Sequence, residues 1–125
     1  MDKDIKEIFD WMDAVSDADI IEKVWELIGS IKKDYARFNN NVEMQKEFNE
    51  SLGFTIGKKY IKIIRYGIDK KPSSVWGFVV KDPDEKFFEG DILKAAGWAS
   101  PATNKARGNV FSGYEINWTG PKYLQ

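Results

Sequence analysis

Hydrophobic positions in the first third of the chain recur at helical spacing. Ile5, Ile8, Phe9 and Met12 lie three or four residues apart, which places their side chains on one helix face. This spacing predicts a short helix over residues 2–14. A cap-like pair of polar residues follows, and it predicts that a second, longer helix begins there. The cap is formed by Ser16 and Asp19, and the apolar stripe after it contains Ile21, Val24, Trp25, Ile28, Ile31, Tyr35 and Phe38.

Three consecutive asparagines, residues 39–41, interrupt this stripe. Val42, Phe48 and Leu52 partly resume it, so the helix either bends here or stops and starts again with an asparagine cap. Gly53 is expected to end the helical region, because glycine is a poor helix former.

From Lys59 onward the pattern changes to β-branched and aromatic runs separated by turn residues, which is typical of short strands. The predicted strands cover residues 60–66, 75–80, 92–94, 109–111 and 114–118. Their short connections favour hairpins over parallel crossovers. The predicted fold class is α+β, with N-terminal α-helices followed by a curved antiparallel β-sheet. We expect one domain over residues 1–125, helical over 1–56 and β over 57–125.

Composition narrows the chemistry that is available to the protein. The chain has no cysteine and no histidine, which excludes thiolate nucleophiles, Ser-His-Asp triads and nearly all zinc sites. Carboxylates, lysines and tyrosines remain, but we predict a protein that is not an enzyme and has no metal and no cofactor. No apolar run approaches the roughly 18 residues of a membrane span, and the N-terminus lacks a signal-peptide pattern. A cytoplasmic protein with no membrane partner is therefore expected.

The two halves of the chain carry opposite charge. Residues 1–57 have seven Lys and Arg against thirteen Asp and Glu, and residues 58–125 have twelve against seven. The resulting charges of −6 and +5 favour an anion-binding β half. Charged side chains that are simply exposed to solvent would give the same charges for the two halves, so this alternative stays open.

The loop of residues 97–109 combines small residues, one large aromatic, two cations and two amides. A nucleotide is bound by such groups, because its base needs a flat surface and its phosphates need cations and N–H donors. An ordinary surface loop with a basic tip would look the same. The aromatic is Trp98, the cations are Lys105 and Arg107, and the amides are Asn104 and Asn109.

Two other aromatic segments are interpreted first as packing residues. In the segment 76–78, side-chain alternation is expected to place Trp76 and Phe78 on the same face of a strand. In the tail, Trp118 and Tyr123 are expected to dock onto the core, although they could also line a pocket or a subunit interface.

Four segments of the β half together resemble a family of phage anti-Thoeris sponge proteins, which have helices ahead of a β-sheet. The resemblance covers about residues 58–125, and over the helices only length and helical character agree. The first two segments are residues 74–79 (SVWGFV) and 90–96 (GDILKAA). The third consists of residues 101–102 (PA), 104 (N) and 106–109 (ARGN), and the fourth of residues 118–121 (WTGP) and 123–124 (YL).

The resemblance implies a binding protein that sequesters a cyclic ADP-ribose-type signal, such as glycocyclic ADP-ribose, without cleaving it. Such a protein works in the host cell cytosol. It binds its ligand in pockets between the subunits of a homodimer, or of a higher homo-oligomer such as a hexamer. The residues implied are Arg107 and Lys105 at the diphosphate, Trp98 or Phe78 at the adenine, and Asn104 or Asn109 at the ribose, with Arg65 as a further ligand-binding residue.

Two other classes of function remain open. A single-stranded nucleic-acid-binding protein would also combine a basic β surface with aromatic residues. The acidic helical half argues against it, and no nucleic-acid partner is expected. A small hydrolase acting on the same nucleotide is the third choice, because the chain offers only scattered carboxylates for catalysis.

Overall fold

The structure, a computed structural model, describes the backbone of residues 2–121 and the side chains of residues 18–121. It confirms the α+β class, with two helices followed by an antiparallel sheet. No described helix contains a stretch that is long and apolar enough to cross a membrane. The elements are α1 (Asp2–Phe38), α2 (Val42–Ser51), β1 (Leu52–Ile56), β2 (Tyr60–Tyr66), β3 (Pro72–Val80), β4 (Ile92–Leu93), β5 (Gly108–Asn109), β6 (Gly113–Tyr114), β7 (Ile116–Asn117) and β8 (Gly120–Pro121).

The first helix is continuous, so the predicted break near Ser16 is wrong. Residues 13–19 contain neither proline nor glycine, and isolated Ser and Asp residues lower helix propensity too little to end a long helix. The side chains of the stripe over residues 5–12 lie outside the described part. Farther along, the buried face includes Ile20 and Leu27, whereas Trp25 is 55% exposed.

The asparagine segment ends one helix and caps the next, as one of the two alternatives predicted. The Oδ1 atom of Asn41 accepts the backbone N–H of Met44 at 3.0 Å, which satisfies a free donor in the first turn of α2. Helix α2 ends at Ser51, and β1 begins at once with Leu52. A strand therefore occupies residues 52–56, which were assigned to the helical part of the domain, and the helical region ends one residue before Leu52 rather than at Gly53.

The main sheet has four antiparallel strands in the order β1-β2-β3-β4. Two further ladders of two strands each, β5-β6 and β7-β8, follow in the chain. The strand predicted over residues 114–118 is thus divided between two ladders.

Both faces of the main sheet are covered. Strand residues Ile61, Ile63 and Val79 pack with the buried face of α1 in one cluster. Phe78, Leu93 and other residues form a second cluster on the opposite face, beneath the loop that contains Ala95 and Ala106. We refer to these as the helix-side and loop-side faces.

Trp76 and Phe78 lie on opposite faces, contrary to the sequence prediction. Trp76 belongs to the helix-side cluster and Phe78 to the loop-side cluster. The reason is a β-bulge: Ile63 pairs with Gly77, but the next residue, Ile64, pairs with Val75. Trp76 is the extra residue, and a bulge interrupts the alternation of side chains.

The tail returns to the helices, as predicted for Trp118. Its backbone N–H donates to Asp34 Oδ2 at 2.8 Å, and its ring meets those of Tyr35 and Phe48 at centroid distances of 5.0 and 5.8 Å. The indole N–H of Trp76 donates to the carbonyl of Asn117 at 3.0 Å. Tyr123 lies outside the described residues.

Candidate functional site

A cleft of about 600 Å³ opens between α2 and the hairpin formed by β2 and β3. We call it the α2-hairpin cleft. Helix α2 forms one wall, the turn of residues 67–71 forms the other, and α1 contributes a single residue. The lining residues are Tyr35, Met44, Glu47, Phe48, Glu50, Ser51, Arg65, Tyr66, Gly67, Ile68, Lys70 and Ser73.

Two buried aromatic rings form the floor of the cleft. Tyr35 of α1 and Phe48 of α2 stack with centroids 4.0 Å apart and an interplanar angle of 17°. Arg65 is exposed at the end of β2, and its guanidinium carbon lies 5.1 Å from the centroid of Phe48. This contact holds the cation against an apolar surface while its N–H groups remain accessible to solvent.

The hairpin wall is ordered by a network of hydrogen bonds within its turn. Gly67 N–H donates to the carbonyl of Lys71 at 2.8 Å, and the side chain of Asp69 accepts Lys71 N–H at 3.0 Å. Lys70 adopts a left-handed backbone conformation, with φ of 62°, at the tip of this turn. The turn therefore presents Lys70 and the almost fully exposed Ile68 on a defined backbone.

The cleft is lined by charged groups of both signs. Arg65 and Lys70 provide two cations, and arginine can bind a phosphate oxygen pair with two parallel N–H groups. Glu47 and Glu50 on α2 provide carboxylates that can accept hydroxyl groups. Apolar and polar groups are thus combined as in small-molecule sites.

The predicted loop of residues 97–109 forms a different surface. Trp98 is 49% exposed, and the Nζ atom of Lys62 lies 4.4 Å from its ring centroid. This cation–π contact ties the loop to β2. Because Lys62 pairs with Phe78 across the strands, both side chains lie on the loop-side face.

The cations and one amide of this loop lie near its exposed tip. Arg107 donates from Nε to the carbonyl of Lys105 at 3.3 Å, and its backbone N–H donates to the carbonyl of Ile92 at 2.7 Å. Asn104 Oδ1 accepts the N–H of Lys105 at 2.9 Å. The tip is thus held by local bonds, with Asn104 and Lys105 exposed.

Two of the predicted ligand-binding residues, Phe78 and Asn109, make contacts within the fold that leave them unavailable to a ligand. Phe78 is 2% exposed in the loop-side cluster, so no face of its ring is open to a base. The Nδ2 atom of Asn109 donates to the carbonyl of Glu89 and to Asp91 Oδ1, each at 2.9 Å. Its Oδ1 atom accepts the N–H groups of Phe111 and Ser112 at 2.8 and 3.3 Å. These bonds use both amide hydrogens and both lone pairs of Asn109.

Residues 8–122 match the family of unknown function DUF7717. The chain belongs to this family. The DUF7717 match includes α2, β2 and β3, the three elements that form most of the cleft, together with the whole 97–109 loop. No curated protein and no solved structure matches the chain.

In this DUF7717 protein the predicted ligand-binding residues do not converge on one site. Arg65 lies over Phe48 on the helix-side face, whereas Trp98 lies over Lys62 on the loop-side face. The sequence patterns did not indicate that α2 and the hairpin turn form the walls of a cleft. Glu47 and Glu50 were considered only as part of the acidic helical half, and Lys70 was not among the candidate residues.

Proposed function

We propose that the protein binds a cyclic ADP-ribose-type signal without cleaving it, and thereby sequesters the signal from a bacterial Thoeris effector in the host cytosol. The observation that carries the proposal is the α2-hairpin cleft, in which the Arg65 guanidinium lies over an aromatic floor. Its volume of about 600 Å³ falls within the range of small-molecule sites, about 300–1,000 Å³. The ligand class comes from the resemblance of residues 58–125 to the anti-Thoeris sponges.

In this proposal the cleft replaces the 97–109 loop as the place where the diphosphate binds. Arg65 and Lys70 hold the phosphates, since both cations line the same cleft. Glu47 accepts ribose hydroxyls, and the exposed side chains of Met44 and Ile68 cover the base. The loop is the weaker choice because Phe78 is buried and the side-chain amide of Asn109 is used within the fold.

Sequestration requires tight binding, because each protein molecule has to hold a signal molecule rather than turn over many of them. A nanomolar dissociation constant corresponds to about −12 kcal/mol. Charge-assisted hydrogen bonds from Arg65 and Lys70 contribute more in a partly enclosed cleft than on an open surface. The contact of Arg65 with the Phe48 ring positions the guanidinium for such bonds.

The proposed function is tested by depletion and recovery of the signal. The protein is incubated with cyclic ADP-ribose or glycocyclic ADP-ribose, the free ligand is separated from the protein by filtration, and the retained protein is then denatured by heat. We expect depletion of one isomer before heating and its recovery in intact form afterwards. A chemically altered product would identify an enzyme instead, and the absence of depletion for every isomer would contradict the proposal.

A further inference from the structure

The outer edge of β1 lacks the features that usually protect the edge of a sheet. Strand β1 is the first in the order β1-β2-β3-β4, and no other strand in the described part of the chain pairs with its outer side. Its residues, Leu52–Ile56, include no charged residue and no proline, and they pair with β2 without a register shift. Charges, prolines and bulges are the common means of preventing edge-to-edge pairing.

The hydrogen bonds of the hairpin determine which backbone groups face outward. Gly57 N–H donates to the carbonyl of Tyr60 at 2.9 Å, so these two residues form a hydrogen-bonded pair. In an antiparallel ladder such pairs alternate with non-bonded pairs, and Thr55 and Gly53 are therefore the residues bonded to β2. The N–H and C=O groups of Phe54 and Ile56 point away from β2, toward the free edge.

An apolar strip lies beside this edge on the helix-side face. Trp25 of α1 is 55% exposed, and its ring contacts that of Phe54 edge-on with centroids 5.0 Å apart. Ile56, two residues beyond Phe54 and on the same side of the strand, is 47% exposed. The free backbone groups and the exposed apolar side chains are thus adjacent.

We infer that a second copy of this chain pairs with β1 in antiparallel orientation, about a twofold axis that passes between Phe54 and its copy. In this arrangement Phe54 lies opposite its own copy, and Ile56 lies opposite Leu52 of the partner subunit. The five residues are uncharged, so no like charges meet across the axis. The two four-stranded sheets become one continuous sheet, and Trp25 and Ile56 become covered by the partner.

This inference concerns the sheet edge alone and is independent of the proposed ligand. It is tested by sedimentation velocity on the full chain, comparing the parent with Ile56→Lys and Ile56→Pro. The lysine adds a charge to the edge, and the proline removes an N–H that points outward without removing a bond to β2. Phe88→Lys, which changes another exposed apolar residue in a distant turn, is the matched control.

We expect a parent dimer at micromolar concentration, and a dimer dissociation constant that both Ile56 variants raise by about tenfold or more. Phe88→Lys should leave it unchanged. Amide exchange provides a second measurement on the parent protein: the Phe54 N–H should be protected in the dimer. A monomeric parent, a dimer unaffected by both Ile56 variants, or an unprotected Phe54 amide in the dimer would overturn the inference.

Discussion

Asn109 donates a hydrogen bond from Nδ2 to Asp91 Oδ1 at 2.9 Å, and this bond joins β5 to the residue that precedes β4. The other carboxylate oxygen of Asp91 accepts the N–H of Phe88 at 2.9 Å. Asp91 is only 7% exposed, and it is the buried charged residue of the described part of the chain. Asn109 therefore stabilises a buried carboxylate and a loop at the same time.

The first prediction concerns the stability of this junction. Asn109→Ala should lower the free energy of unfolding by about 1–3 kcal/mol, because Asp91 loses a partner and two backbone N–H groups lose their acceptor. Asn104→Ala, at the exposed loop tip, should change it by less than about 0.5 kcal/mol. Urea unfolding of both variants measures the difference. Equal stability of the two variants would contradict the structural role of Asn109.

A second prediction compares two glycines. Gly90 has φ of +89°, and a Cβ atom there would lie 2.6 Å from the ring of Phe111. Gly90→Ala should therefore destabilise the protein by about 1–3 kcal/mol. Gly29 lies inside α1, where an added Cβ would meet no atom within 4 Å apart from the neighbouring helix backbone, and Gly29→Ala should stabilise the protein by about 0.5–1 kcal/mol. Thermal unfolding should give shifts of opposite sign, and shifts of the same sign would contradict the described backbone at one of these glycines.

The third prediction concerns pH. The hydrogen bond from Lys59, together with the backbone N–H groups of Phe87 and Lys86, lowers the pKa of Asp84 from 3.8 to about 2. Because the folded-state pKa is below the unfolded value, this stabilisation is present above about pH 4 and is lost as the pH falls toward 2. Unfolding measured between pH 6 and pH 2 should show a shallower loss of stability for Asp84→Asn than for the parent. An equally steep loss of stability in Asp84→Asn and the parent would contradict this role of Asp84.

Much of the fold could be predicted because it depends on local patterns. The run of alternating apolar residues in β2 and the asparagine cap of α2 have clear signals in the sequence. The break near Ser16 was predicted wrongly because a weak cap signal cannot be distinguished from tolerated polar residues within a long helix. The bulge at Trp76 could not be predicted, since it depends on the pairing of β3 with β2.

The candidate site was less predictable than the fold. The sequence shows which residues have suitable chemistry, but it does not show on which face of the sheet each one lies. Arg65 and Trp98 lie on opposite faces. The resemblance implied Phe78 as a possible stacking surface for the adenine, but its ring is buried in the loop-side cluster. The α2-hairpin cleft requires a long-range contact between a helix and a turn, and neither segment indicates that contact by itself.

The fourth prediction distinguishes the proposed function from nucleic-acid binding. Single-stranded oligonucleotides should bind weakly at physiological salt, because the chain has a net charge of −1 and its helical half is acidic. Trp98, with Lys62 over its ring, is the residue on which a base would stack. Fluorescence titration of the parent and of Trp98→Ala with a single-stranded oligonucleotide measures this affinity. A salt-sensitive submicromolar affinity that is lost in Trp98→Ala would favour nucleic-acid binding instead.

The most direct measurement of the central claim is calorimetric titration of Arg65→Ala and Arg107→Ala with the cyclic ADP-ribose isomer that the parent binds. Arg65 lies in the α2-hairpin cleft, whereas Arg107 belongs to the loop on the opposite face. We expect Arg65→Ala to weaken binding by about thirtyfold or more, since loss of a charge-assisted contact costs about 2–5 kcal/mol, with melting temperatures showing that the variants remain folded. Arg107→Ala should bind like the parent. Loss of binding in Arg107→Ala with full binding in Arg65→Ala would contradict the placement of the ligand in the cleft.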